Sequence, residues 1–192
     1  RGLGDVYKRQ GFDLDLVSEV MTYNASQGKP AYAAIINRLD RPVSGLVLIA
    51  KNKSAAAKYS TLMQKEGGFN KQYEALICGK LSELKGTFVD YLKKDGRTNT
   101  SAIVPADSAA NDKEAKLSKL EYEVISYDEV KDITHVRIHL ITGRHHQIRV
   151  QFASRRHPLV GDYKYATADC GMDNAVKAVA LKRNQIALCA VS

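Results

Sequence analysis

Residues 36–46 read INRLDRPVSGL and set one carboxylate, Asp40, between two guanidinium groups, Arg38 and Arg41. A cation within several ångströms favours the ionised form of a carboxyl group. A carboxylate kept ionised in a partly dry site can serve as a nucleophile, a base or an electrostatic stabiliser. The same residues can equally form an ion pair that steadies a turn before the apolar run LVLIA, since structural ion pairs also perturb pKa values. Taken alone, the stretch leaves both readings open, and the turn ion pair is the simpler one.

A second stretch, TGRHHQIRVQ, places Gly143 at the end of a strand and lets Arg144, His145 and His146 open a helix. Arg149 falls about one turn beyond His145 on the same face. An arginine there can make a bidentate contact to a carboxylate or phosphate, or can belong to a solvated basic helix face. Adjacent His145 and His146 have the wrong spacing for a helical metal pair, which needs ligands three or four apart. His135 and His139 share only a strand face and read as basic surface, so no metal site is expected. Tyr73, in KQYEALICGK, sits at a strand position where a ring can stack on a base, or simply fill core. Asp162, in VGDYKY, reads as a turn-former after Gly161. P-loop, GxGxxG and GxSxG signatures are missing from the sequence.

The elements that must hold these groups follow from periodicity. FDLDLVSEVMTYNAS puts Phe12, Leu16, Val20 and Tyr23 on one helical stripe. GLVLIAK is a continuous apolar run of strand length and predicts a central strand buried on both sides. NKSAAAKYSTLMQKEGG predicts a helix capped by Ser54 and stopped by Gly67 and Gly68. FNKQYEALICGKL predicts a strand carrying Tyr73, and GTFVDYLKKDGRTNTSAIVP predicts two strands joined at KDG. Residues 106–115 read as a loop. KLSKLEYEVISYDE and ITHVRIHLITG predict paired strands, the second with Val136, Ile138 and Leu140 inward and His135, Arg137 and His139 outward. RHHQIRVQFASRRH predicts a helix with Ile148 and Phe152 on one face, and HPLVGDYKY a loop with a short strand. Hairpin-length links between most strands predict an α+β domain built on a mixed, mostly antiparallel sheet with peripheral helices and loops.

The chain has 192 residues, 44% hydrophobic and 26% charged, which suits one domain able to bury a core without staples. Lys and Arg outnumber Asp and Glu, 29 to 21, for a net charge of +8, which favours a polyanionic partner. Three cysteines, Cys78, Cys170 and Cys189, are odd in number and far apart in sequence, which argues against a disulfide framework or thiolate zinc site and predicts a cytoplasmic protein. No apolar run approaches the roughly 20 residues of a membrane span. The opening RGLGDVYKRQ lacks periodicity and resembles an adapter-derived peptide, so residues 1–10 are expected to be a non-native leader.

In order and spacing, NRLDRPVSGLVLIAK, KQYEALICGKL and HLITGRHHQIRVQFASRRHPLVGDYKY resemble the RluA-type pseudouridine synthases, from about Ala34 to Tyr165. The resemblance implies isomerisation of uridine to pseudouridine in structured RNA, ribosomal rather than transfer RNA, without cofactor or metal, by a monomer. The family's catalytic aspartate falls on Asp40, the arginine that pairs with it on Arg149, and the tyrosine that packs on the target base on Tyr73. Arg38 matches the arginine that fills the space of the extruded base, and Arg144, His146 and Gln147 are expected to contact RNA. Departures are Asn37 in place of histidine before RLD and His145 where threonine is common. An earlier Lys-Pro strand is missing and the last strands are short, so residues 11–192 are expected to be a catalytic domain incomplete at both ends. Two other readings stand beside it: a non-catalytic RNA-binding fragment of the same fold, and a glycoside-type hydrolase in which Asp162 would supply the second carboxylic acid.

Overall fold

In the computed structural model, residues 15–65, 67–166, 170–182 and 184–192 are described; the expected leader and Phe12 lie outside them. The elements are α1 (Leu16–Ser26), β1 (Ala34–Ile35), β2 (Ser44–Gly45), β3 (Ile49–Ala50), α2 (Lys53–Gln64), β4 (Gln72–Cys78), β5 (Lys85–Asp95), β6 (Thr100–Val104), α3 (Ala106–Ala109), β7 (Lys116–Asp128), β8 (Ile133–Leu140), α4 (Gln147–Ala153), α5 (Met172–Ala178) and β9 (Leu188–Ala190). They fall into two units. One holds α1, β1, β3 and α2. The other, Leu39–Leu46 and Phe69–Ser192, holds the rest.

In the smaller unit, β1 pairs antiparallel with β3, Ala34 opposite Ala50 and Ile35 opposite Ile49. Asn37 Oδ1 extends the ladder by accepting from the Leu48 N–H at 2.6 Å. The α1 helix forms as its sequence predicts, with Asp15 as cap accepting from Ser18 N–H at 2.9 Å, but its buried face is not the expected stripe. Leu16 and Tyr23 are exposed, and Asn24 is the buried residue. Its side-chain amide donates to Tyr32 O at 3.2 Å, so a polar contact that closes the following turn decides the orientation. The cap of α2 is Asn52, which accepts from Ala55 N–H at 2.8 Å. Ser54 is the second residue of the helix, its backbone already helical, so the cap position with extended backbone falls on Asn52.

The larger unit is the α+β fold expected. Its seven-stranded sheet runs β2-β9-β4-β8-β7-β5-β6, with β2 parallel to β9 and every other neighbour antiparallel. Alternation sets its faces. Leu120 and Tyr122 on β7 and Val136, Ile138 and Leu140 on β8 point inward and meet Phe88, Ile148, Phe152 and Leu159 in one core cluster. Phe88, Tyr122 and Phe152 pack as a ring triad with centroids 4.8 to 5.8 Å apart. Each such side chain contributes about 1.5–3 kcal/mol by leaving water. On the outer face His135 and Arg137 pair with Glu74 at 3.1 and 3.0 Å, and His139 with Glu121 at 3.3 Å. Basic and acidic side chains thus alternate across the strands, where the sequence pointed to a basic surface.

Three local expectations change. Residues 106–109 form the one-turn helix α3 within the expected loop. Leu159 makes a single bridge to Ile77 in place of a strand. GLVLIAK is not one buried strand: β2 joins β9 in the larger unit, β3 joins β1 in the smaller, and Leu46 and Leu48 between them are 60% and 37% exposed. An apolar run reports burial preference but not which ladder each residue enters.

The Asp40 loop is fixed to the sheet through β2. Ile186 N–H donates to Pro42 O and Leu46 N–H to Ala190 O, both at 3.0 Å. Gly45 holds φ +127°, and a Cβ there would run into the backbone N and O of Ala190. Gly45→Ala is therefore expected to destabilise the fold by about 1–3 kcal/mol through strain at a glycine-only conformation. Urea unfolding measures this, and an unchanged midpoint would show that the loop is not anchored there.

Candidate active site

Asp40, Arg149, Asp162, His146, Tyr165 and Tyr73 all belong to the larger unit, and the first five converge. Arg149 lies on α4, whose Ile148 and Phe152 are buried in the sheet, so the helix cannot turn without exposing them. This puts the Arg149 guanidinium, 5% exposed, beside Asp162, 1% exposed. Asp162 accepts from Arg149 Nε at 2.6 Å and Nη2 at 2.7 Å, a bidentate pair. The remaining nitrogen, Nη1, stands 3.3 Å from Asp40 Oδ2. Burial opposes the charge on Arg149, but the bonds and charge of Asp162, then the charge of Asp40, outweigh it and raise the pKa. One guanidinium thus faces two carboxylates, and the cluster keeps a net negative charge on the more exposed member, Asp40.

Asp162 was read from the sequence as a turn-former. Its backbone does close the turn, accepting from Tyr165 and Ala166 N–H, but its side chain is the anchor of Arg149. Both of its oxygens are occupied, so it does not offer the second, proton-donating acid that a glycosidase needs.

The α4 helix starts at Gln147, not at Arg144, because His146 takes a left-handed backbone (φ 52°, ψ 26°). The Gln147 side chain holds that turn: its Oε1 accepts from Arg144 N–H at 3.0 Å and from Thr142 Oγ1 at 2.8 Å. Its Nε2 donates to Gln151, which donates to Asp90 at 2.6 Å, and Asp90 takes both terminal nitrogens of Arg155. Gln147 is 2% exposed and its amide is committed inside the protein. His146 is also buried, its Nε2 3.5 Å from Asp40 Oδ2 and its Nδ1 2.6 Å from the Tyr165 hydroxyl. Burial above all pushes the His146 pKa down, to about 4, against the pull of the Asp40 charge. His145 stacks on His146 with centroids 3.8 Å apart, and burial, then the charge of Lys94, lowers its pKa too. Both rings are neutral at pH 7.

Tyr73 sits on β4, opposite Ile138 and Ala190 in register, half-buried at the edge of the core. Burial, then the negative charge of Asp40, raises its pKa, so it is a neutral phenol within the field of that carboxylate. Arg144 is exposed, its Nε donating to Leu117 O at 3.0 Å. Arg38 is exposed and belongs to the smaller unit. Ser101 and Tyr165 drew no attention in the sequence. Ser101 is one small residue on an edge strand, and only its fold partners mark it. Among the described residues no group of His, Cys, Asp and Glu has metal-binding geometry, and no helix is long and apolar enough to cross a membrane.

The site is thus a buried arginine clamped by Asp162 and facing Asp40, on a mixed sheet; the clamp by Asp162 was not implied by the sequence motifs. A family model described as RNA pseudouridylate synthase matches residues 6–154, and the chain belongs to that family. It is 37% identical over 137 residues to ribosomal large subunit pseudouridine synthase D of Blochmanniella floridana, covering 69% of this chain and 38% of that protein. The protein of the same name from Vibrio cholerae is 33% identical over 133 residues, with the same coverage of 69% and 38%. The chain therefore spans well under half the length of these relatives. The structure titled human RNA Pseudouridylate Synthase Domain Containing 1 superposes with a TM-score of 0.66 at 24% identity, covering 83% of this chain and 62% of that one, a likeness of fold.

Proposed function

We propose that the chain is an RNA pseudouridine synthase, an isomerase that turns uridine into pseudouridine in structured RNA with Asp40 as its catalytic carboxylate. The observation that carries this reading is the shared guanidinium of Arg149. Two of its nitrogens are spent on buried Asp162, so the third aims Asp40 without neutralising it.

The reaction breaks N1–C1′, turns the uracil, forms C5–C1′, gives the C5 proton up to solvent and takes one up at N1; atoms balance without a cofactor. Asp40 serves by attacking the ribosyl carbon or by assisting glycosidic cleavage. The target nucleotide must leave its stack, at a cost of about a few kcal/mol, which Arg38 offsets by filling the gap. Tyr73 packs on the flipped base. Its phenol is too weakly acidic to act as a base while Asp40 carries its charge. If Asp40 is esterified, that charge disappears and one cause of the raised pKa goes with it.

Arg144 is exposed and can meet an RNA phosphate. Gln147 holds the turn from which His146 and Arg144 project. Preference for ribosomal over transfer RNA is supported by the names of the relatives. A cytoplasmic location is consistent with the free thiols of Cys78, Cys170 and Cys189, and the chain is proposed to act as a monomer.

Tritium release from 5-tritiated uridine RNA is the test, because only replacement at C5 frees the label. The expected result is release with no free uracil. RNA binding without release would make the chain a non-catalytic binder, and free uracil would make it a hydrolase.

A further inference from the structure

Hydrogen bonds around Tyr165 have a direction that fixes the protonation of His146. Ser101 N–H donates to the Tyr165 oxygen at 2.9 Å. A backbone amide can only donate, so the phenol accepts there and still has its own proton to place. Among the described residues its other partner is His146 Nδ1, at 2.6 Å. If Nδ1 carried a proton, two donors would meet one phenol oxygen and the phenolic proton would be left without an acceptor in a half-buried place. The tyrosine therefore donates to Nδ1, and a neutral His146 carries its proton on Nε2, the nitrogen 3.5 Å from Asp40 Oδ2.

Ser101 also fixes the neighbouring ring. Its hydroxyl donates to His145 O at 3.0 Å and lies 2.8 Å from His145 Nδ1, and the His145 ring stacks on His146. Edge strand β6 thus sets both the plane and the tautomer of His146.

We infer that His146 is a positioning residue for the isomerisation, a neutral imidazole that turns its Nε2–H toward Asp40 Oδ2 at 3.5 Å and whose tautomer is locked by the relay Ser101 N–H, Tyr165 O–H, His146 Nδ1. With Arg149 Nη1 on the same oxygen, both close donors among the described residues fall on Oδ2, and Oδ1 is left for the substrate. The inference rests on the role proposed above for Asp40. The depressed pKa of His146 agrees with it, because an imidazolium there would add a second cation and neutralise the carboxylate.

Two substitutions separate this role from a merely structural one. The left-handed backbone of His146 suits asparagine, whereas glutamine alone returns an N–H near the place of Nε2. Single-turnover tritium release at saturating RNA is expected to fall by about 100-fold in His146→Asn and to recover to within about tenfold of wild type in His146→Gln, the span of a hydrogen bond to a charged group. RNA affinity is measured alongside, and a loss of affinity in His146→Asn that accounts for its loss of release overturns the inference in favour of an RNA contact. Asparagine outperforming glutamine overturns the inference. A second measurement needs no turnover: the imidazole ¹⁵N resonances of the unliganded wild-type chain at neutral pH. They are expected to show an unprotonated Nδ1 and a protonated Nε2, moving toward a mixture of tautomers in Tyr165→Phe. A protonated Nδ1 in wild type, or no response to Tyr165→Phe, overturns the inference even in an active enzyme. Loss of wild-type turnover with the expected resonances instead counts against the proposed reaction.

Discussion

Asp40→Asn is expected to cut tritium release by about 10⁴-fold or more, the scale seen when a reacting group is removed from a catalytic set. RNA affinity should hold or rise, because the change removes a negative charge next to a polyanion. The fold should also hold. Asp40 is half-exposed, asparagine keeps its shape, and Arg149 keeps both bonds to Asp162. The variant thus separates chemistry from binding in one comparison. Normal turnover would remove Asp40 from the mechanism, and loss of binding with turnover would make it an RNA contact.

The second large effect concerns the clamp. Arg149 and Asp162 form a buried pair, with side chains 6% and 1% exposed. Removing one partner strands the other charge, at a cost of about 3–5 kcal/mol. Asp162→Asn is therefore expected to lower the urea midpoint sharply and to reduce turnover as well, since a freed Arg149 turns fully onto Asp40 and neutralises it. The double change Arg149→Met with Asp162→Leu separates the two consequences. A well-packed apolar pair is often as stable as the ion pair it replaces, so the midpoint should return toward wild type. Turnover should not return, because Asp40 then lacks its aiming donor. Recovered turnover would mean that the clamp serves only the fold.

Much of this arrangement was legible in the chain. Alternation placed Val136, Ile138 and Leu140 inward and Tyr73 on a strand, because a pleat turns every second residue to the same face. The resemblance carried by the motifs implied that Arg149 pairs with Asp40, although the two residues are 109 positions apart. Asp162 was harder. A Gly-Asp step in a loop has the composition of a turn, and nothing local tells that its carboxylate faces inward to an arginine 13 residues away. Gln147 was expected to contact RNA through the motif it belongs to, whereas burial of α4 turned its amide toward Thr142 and Gln151. GLVLIAK was divided between two ladders, which no property of consecutive apolar residues could foretell.

The sequence by itself determined β4 to β8, the inward and outward faces of β8, the helices at α1, α2 and α4, and, through motif order, the family. Periodicity and side-chain type express these locally. Tertiary structure alone decided that Arg149 divides between Asp162 and Asp40, that His146 is buried and left-handed, and that Ser101 reaches Tyr165 from a distant edge strand. The physical reason is that the direction of a hydrogen bond and the sharing of one charge between two partners depend on separations of a few tenths of an ångström. Those separations are set by how the sheet, α4 and the 157–166 loop pack together, and no short stretch of residues carries that information.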